Sequence, residues 1–296
     1  PEFLVLAHKR GIIVHALSGE SHLALPEWHG LVLDQISTIS EFNKKNKKEA
    51  RFDGIHHDIE PYLLEQFSGS NRKEIVKNYL DLLSKSVKAT HISGLVYGAD
   101  IPLWFNEETT WGGTTKPIYQ HIIDLIDLVT IMDYRTVAFG ESGTIAGAED
   151  EISYADHIGK KVYVGLETGP LPVETLYQIR KGIQIKGAIF SGPQTVVFIH
   201  RLADVVFLFL KEVNNSKDVE GETKKFIKTS KILNPEIYTS QTPVIYGQDK
   251  ITFANKTIED LFYVMEKTGG AFIDNASFAG IAIHYYDSYK TLADQK

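Results

Sequence analysis

Short apolar runs alternate with longer stretches of helical spacing along most of this chain. Residues 11–17 (GIIVHAL), 52–59, 94–99, 128–132, 161–166 and 280–284 are rich in branched and aromatic residues and read as strands. Between them, residues 31–46, 72–90, 118–126, 153–159 and 257–267 carry apolar side chains at helical intervals. Continuous apolar strands alternating with helices predict parallel α/β architecture. Ionisable and phenolic residues collect where the strands end: Glu60, Asp100, Asp133, Tyr134, Glu167 and Tyr285. A (β/α) barrel keeps its active site at that face. A doubly wound sheet would carry a glycine-rich phosphate loop after its first strand. No G-x-G-x-x-G follows residues 11–17, so the expectation is an α/β chain of the (β/α)8 TIM-barrel type, with no cofactor.

Residues 171–250 break the rhythm. They hold β-rich runs at 183–190, 195–200 and 205–210, followed by a charged stretch at 211–228. The expected organisation is therefore barrel units in residues 1–170, an insertion or small α/β lobe in 171–250, and the last barrel helix and strand in 251–296.

Composition narrows the function classes. The 296 residues are 43% apolar and 23% charged, ordinary for a globular chain. A net charge of -7 argues against nucleic acid as a partner, because no basic excess meets the phosphates. Without cysteine, a disulfide scaffold, a thiolate metal site and a cysteine nucleophile are all excluded. No apolar run approaches the roughly 20 residues of a membrane span.

Candidate chemistry concentrates in residues 52–61 (FDGIHHDIEP). In an extended chain, positions i, i+2 and i+4 share a face, so His56, Asp58 and Glu60 are expected to point one way and Ile55, His57 and Ile59 the other. Two carboxyls and an imidazole on a core strand are costly unless paired or used. Adjacent histidines face opposite sides and do not easily share an ion, so no metal site is expected. A metal-dependent hydrolase using His56 and Asp58 stays open as an alternative. Trp28, Trp104 and Trp111 fall in loops after strands, where rings suit either sugar stacking or loop packing.

The segment Asp53-Gly54-Ile55-His56-His57-Asp58-Ile59-Glu60 resembles the D-x-x-D-x-D-x-E signature of family 18 glycoside hydrolases, the chitinase-like barrels. Three of the four acids match, and His56 stands in place of the second. Met132-Asp133-Tyr134-Arg135 resembles the family's M-x-Y-D except at Arg135. The resemblance implies a carbohydrate substrate, with Glu60 protonating the glycosidic oxygen. It implies that Asp58 orients an acetamido group acting as nucleophile, and that Tyr134 supports that group's carbonyl. It makes residues 52–60 the fourth barrel strand, so the first two βα units are expected upstream of Pro1. His284, followed by Tyr285 and Tyr286, stands where the family has a tryptophan, so the expected substrate is a sugar other than chitin.

Spacing alone supports a second glycosidase arrangement, with Glu60 after the fourth strand as acid/base and Glu167 after the seventh as nucleophile. The candidate catalytic residues are therefore Glu60, Asp58, Tyr134 and Glu167. The candidate substrate-binding residues are His56, Asp100, Trp104, Asp133, Arg135, His284 and Tyr285. A non-hydrolytic carbohydrate-binding barrel is the other alternative, motivated by the departures at His56, Arg135 and His284.

Overall fold

The computed structural model describes residues 1–67, 69–171, 174–176, 179–181, 193–202, 205–214, 217–240, 244–246 and 248–295. The chain divides into two units. One comprises Pro1–Pro170 with Asp249–Lys296, the other Leu171–Gln248.

The larger unit is built on a six-stranded sheet: β1 (His15–Ser18), β2 (Gly54–His57), β3 (Val96–Pro102), β4 (Leu128–Met132), β5 (Lys161–Glu167) and β6 (Phe278–His284). Every pairing is parallel, and the strands lie side by side in chain order. A doubly wound sheet reverses its strand order at a switch point; this sheet does not. Each crossover carries a helix: α2 (His29–Lys45), α3 (Arg72–Ile92), α4 (Ile118–Leu125), α5 (Thr144–Ile158) and α6 (Ile258–Ala271), with α1 (Glu2–His8) preceding β1. One cavity is lined by His15 and Leu17 of β1 and also by Ala282 and His284 of β6. The sheet therefore curves until its first and last strands face a common interior, as in the wall of a TIM barrel.

Strand alternation sorts the two faces. Tyr97, Ala99, Ile101, Val129, Ile131, Val162 and Val164 are buried in the core with apolar residues of α3 and α4. Their neighbours Asp100, Thr130, Met132 and Gly165 line the interior cavity. Space on that inner face is made by glycine. A Cβ on Gly54 would lie 2.6 Å from His15 Nε2, and one on Gly98 would collide with His56 Nδ1. In register terms His15 stands beside Gly54, and His56 beside Gly98.

Several elements differ from the sequence expectation. The first strand begins at His15, because Gly11 (φ 72) ends the turn after α1 and Val14 N–H donates to the Asp53 carboxylate. The motif strand covers only Gly54–His57, and a 3-10 turn led by Pro61 follows. The helix expected at 153–159 starts at Thr144. Ile145, Ala148, Ile152 and Ala155 give it a helical stripe, but Gly143 and Gly147 interrupt the pattern. A hairpin, Glu108–Trp111 with Thr114–Pro117, turns through the positive-φ pair Gly112 and Gly113.

In the smaller unit, Val205–Asn214, Pro193–Leu202, Glu236–Ser240 and Ile179–Lys181 form a four-stranded antiparallel sheet in that order. Val196, Phe198 and Val213 pack with Val219 and Ile232. The charged stretch completes a strand and then forms the helix Val219–Thr229. The run expected at 183–190 lies outside the described residues.

The loop after β1 touches the motif directly. Asp58 N–H donates to Ser18 O, and a Cβ on Gly19 would fall on the Asp58 carbonyl oxygen. Replacing Gly19 by Ala should therefore destabilise the chain by about 1–3 kcal/mol through overpacking. Urea unfolding of Gly19→Ala checks this; an unchanged midpoint would show that the loop can yield.

Candidate active site

The interior opens at the strand C-terminal ends as a cavity of about 310 Å³. Of the sequence candidates, His56, Asp58, Asp100, Tyr134 and His284 line it, joined by His15, Thr130 and Met132. His56 and Asp58 share the inner face, while His57 points outward and bonds Tyr97 Oη at 2.8 Å. That much follows the two-residue alternation. Glu60 leaves it, because the strand ends at His57 and the chain turns at Pro61. The Glu60 carboxylate lies outside the cavity lining and accepts a hydrogen bond from Tyr62 Oη.

The ionisable groups form two linked pairs and one lone acid. His56 Nε2 meets Asp100 Oδ1 at 2.9 Å. His284 Nδ1 meets Glu167 Oε2 at 2.7 Å, and Gly169 N–H donates to Glu167 Oε1 at 2.5 Å. Asp58 stands alone: among the described residues its Oδ1 has no partner. Burial, then the charges of Asp100 and Glu60, push its carboxyl up to about 6, against smaller opposing effects of His284 and His56. Asp58 thus holds its proton in a range where an ordinary aspartate has lost it. The Tyr134 phenol is raised far above its usual range, chiefly by burial and then by the charge of Glu167, so it is a standing donor. Its ring stacks on His284, 6.0 Å between centroids and 17° between planes. His15 lies 6.4 Å from the His56 ring and is shifted down by burial and then by His56.

Other candidates are placed elsewhere. Asp133 is fully buried on the helix side, where Gly147 of α5 leaves room for its carboxyl. Arg135 Nε stands 3.2 Å from Asp133 Oδ1, and its Nη1 donates to Gly143 O at 2.7 Å. Neither residue lines the cavity. Tyr285 is exposed, meets the His284 ring edge-on at 5.1 Å, and faces a separate cavity. Trp104 packs edge-on to Tyr62 at 5.0 Å and to Phe105 at 5.1 Å. It does not line the cavity, and the Arg72 guanidinium lies 5.7 Å from its ring. Trp28 packs against His22, and Trp111 donates to Asp81. No group of three His, Asp or Glu among the described residues is arranged to hold a metal ion.

Four contributors stand outside the sequence candidates. Thr130 and Met132 were readable from the alternation of β4 against Val129 and Ile131. His15 was readable as an inner-face residue of β1. Tyr62 had no sequence signal, since only the turn at Pro61 brings it back to Glu60.

No family model matches the chain, and no curated protein does. Similar solved structures include the spore cortex-lytic enzyme SleL of Bacillus megaterium QM B1551, 13% identical with a TM-score of 0.42, covering 99% of this chain. The chain spans 62% of that protein's length. A chitinase from Chromobacterium violaceum ATCC 12472 is 10% identical, TM-score 0.44, covering 99% of this chain and 83% of its own. The Group IV chitinase of Ostrinia furnacalis, in complex with allosamidin, is 11% identical, TM-score 0.48, covering 97% of this chain and 76% of its own.

Behind the site, burial pushes Glu151 of α5 from 4.5 up to about 8, against a backbone hydrogen bond that lowers it, with Asp150 and Asp133 adding to the rise. Folded, it keeps its proton between those values; unfolded, it loses it. Stability from this group therefore falls as pH rises from 4.5 to about 8. Glu151→Gln should match the parent in urea at pH 4.5 and exceed it by roughly 2–4 kcal/mol at pH 8.5. Equal stability at pH 8.5 would mean that Glu151 ionises freely in the fold.

Proposed function

We propose that this chain is a glycosidase-like barrel that takes a carbohydrate at the strand C-terminal ends and cleaves it by acid/base catalysis. The observation that carries the reading is Asp58. Its carboxyl faces the cavity, is pushed up to about 6, and has the charge of Glu60 acting on it and on Tyr134. A buried carboxyl under the charges of Asp100 and Glu60 ionises only at a cost, so Asp58 retains its proton into the mildly acidic range.

In this reading Glu60 passes its proton to the glycosidic oxygen as the C–O bond breaks. The water that completes hydrolysis returns its proton to Glu60, while Asp58 holds the substrate group next to the breaking bond and Tyr134 donates to that group. Glu167 has both oxygens occupied and is buried, so the reading gives it a positioning role and leaves the attack to the substrate's own carbonyl or to water. His56 and Asp100 line the sugar pocket as a hydrogen-bonded pair. Trp104 and Tyr62 form an aromatic wall beyond Glu60 on which a further sugar can stack.

A second reading is a barrel that binds carbohydrate without cleaving it. The bond from Tyr62 to Glu60, and the place of Glu60 outside the cavity lining, favour it.

Assays of reducing ends released from an oligosaccharide panel separate the two. For hydrolysis, kcat/KM should fall as pH rises above about 6, where Asp58 loses its proton. Glu60→Gln should cost about 10²–10⁴-fold in kcat with ligand affinity retained. Full activity of that variant would refute the assignment of Glu60. Intact ligand bound by the wild-type chain, with no product, would establish the second reading.

A further inference from the structure

Building on the carbohydrate-site reading, we propose that His284, held by Glu167, is the cationic donor of the cavity and selects a sugar that bears a carboxylate. The reasoning begins with which atoms are free. Glu167 Oε2 is taken by His284 Nδ1 and Oε1 by Gly169 N–H. With Nδ1 turned to Glu167, the remaining ring donor is Nε2–H, on a residue that lines the cavity. Tyr134, stacked at 6.0 Å, fixes the ring plane from its other side.

Among the described residues lining the cavity there is no lysine or arginine to compete. His56 is turned to Asp100 at 2.9 Å, and burial shifts His15 down. The same cavity is lined by Tyr134 and by Asp58, whose Oδ1 lacks a partner among the described residues. A cationic imidazole, a phenol and a protonated carboxyl together make a set of donors. A carboxylate presents two acceptor oxygens to such a set, and hydrogen bonds with an ionised partner are roughly twice as strong as neutral ones. A hydroxyl or acetamide gains less from the same atoms.

The charges around the set give the pH dependence. His284 is raised, first by its hydrogen bond to Glu167 and also by the charges of Glu167, Asp58 and Asp100. It is therefore cationic in mildly acidic solution. Asp58 faces Asp100, Glu60, His284 and His56, and ionises at about 6. Below that pH its carboxyl donates; above it, its charge repels an acidic ligand. Selectivity for the acidic sugar should be greatest near pH 5, where a uronate is still ionised, and should fade as the pH rises.

Calorimetry on the wild-type chain tests this with a uronic-acid tetrasaccharide and its uncharged counterpart. At pH 5 the acidic ligand should bind at least tenfold tighter, and by pH 8 the advantage should fall below threefold. His284→Gln should abolish the preference, costing the acidic ligand at least tenfold in affinity at pH 5 and the neutral ligand much less. Equal affinities at pH 5, preference for the neutral ligand, or no binding of either overturns the proposal. A neutral sugar bound and cleaved without charge preference sinks this inference and spares the hydrolase reading. An acidic sugar bound and left intact does the reverse. The positioning role of Glu167 has its own readout: an NMR titration in which Glu167→Gln lowers the His284 midpoint. An unmoved midpoint excludes that role.

Discussion

The candidate site depends on imidazole rings filling the spaces that glycines leave on the next strand. His15 lies against Gly54, and His56 against Gly98, each pair in parallel register. A slip of one residue would swing every side chain of the strand to the opposite face and set a side chain against a ring. The fit therefore aligns the strand ends as well. Asp58 follows His56 by two residues and Asp100 follows Gly98 by two, which brings His56 within bonding distance of Asp100 and leaves Asp58 unpaired beside them. The position and the protonation of the lone acid both descend from this packing.

The sheet also separates its acids by side. Asp58 and Asp100 face the interior, where water and ligands can reach. Asp133 and Glu151 lie on the helix side, where burial pushes them to about 7 and about 8. Asp133 immediately precedes Tyr134, so one peptide step divides a neutralised core acid from a cavity residue. Arg135, anchored on Gly143 O, holds the chain on the following side. Tyr134 is thus fixed by its neighbours in sequence as firmly as by the ring it stacks on.

The fold was largely legible in the sequence because it rests on periodicity. Apolar runs such as 128–132 mark buried parallel strands, and the spacing of Ile75, Val76, Tyr79, Leu80 and Leu83 marks a helix. The strand order was readable once no phosphate loop followed the first strand. What escaped depends on local geometry that apolar patterning does not encode. Gly143 and Gly147 hid the first half of α5, although Gly147 is there to make room for Asp133. Proline 61 ended the motif strand early, so Glu60 left the face that simple alternation gave it. Asp133 and Arg135 read as strand-end residues, yet the side on which they fall depends on one residue of phase. The inner-face group His56, Asp58, Asp100, Tyr134 and His284 was all named from sequence, because each stands at or near a strand end.

The outward neighbour in the motif, His57, has a consequence of its own. It sits in the core against Tyr97, and burial pulls it down to about 4, with His56 adding to the effect. A histidine so depressed stays neutral while the unfolded chain takes up a proton from about 6.5 downward. Acidification across that interval therefore removes the stability that this one group contributes, in opposition to Glu151. The short strand that leads into Asp58 thus carries an acid-labile rivet on its outer face. What acid takes from this rivet it takes from the strand that presents the cavity carboxyls.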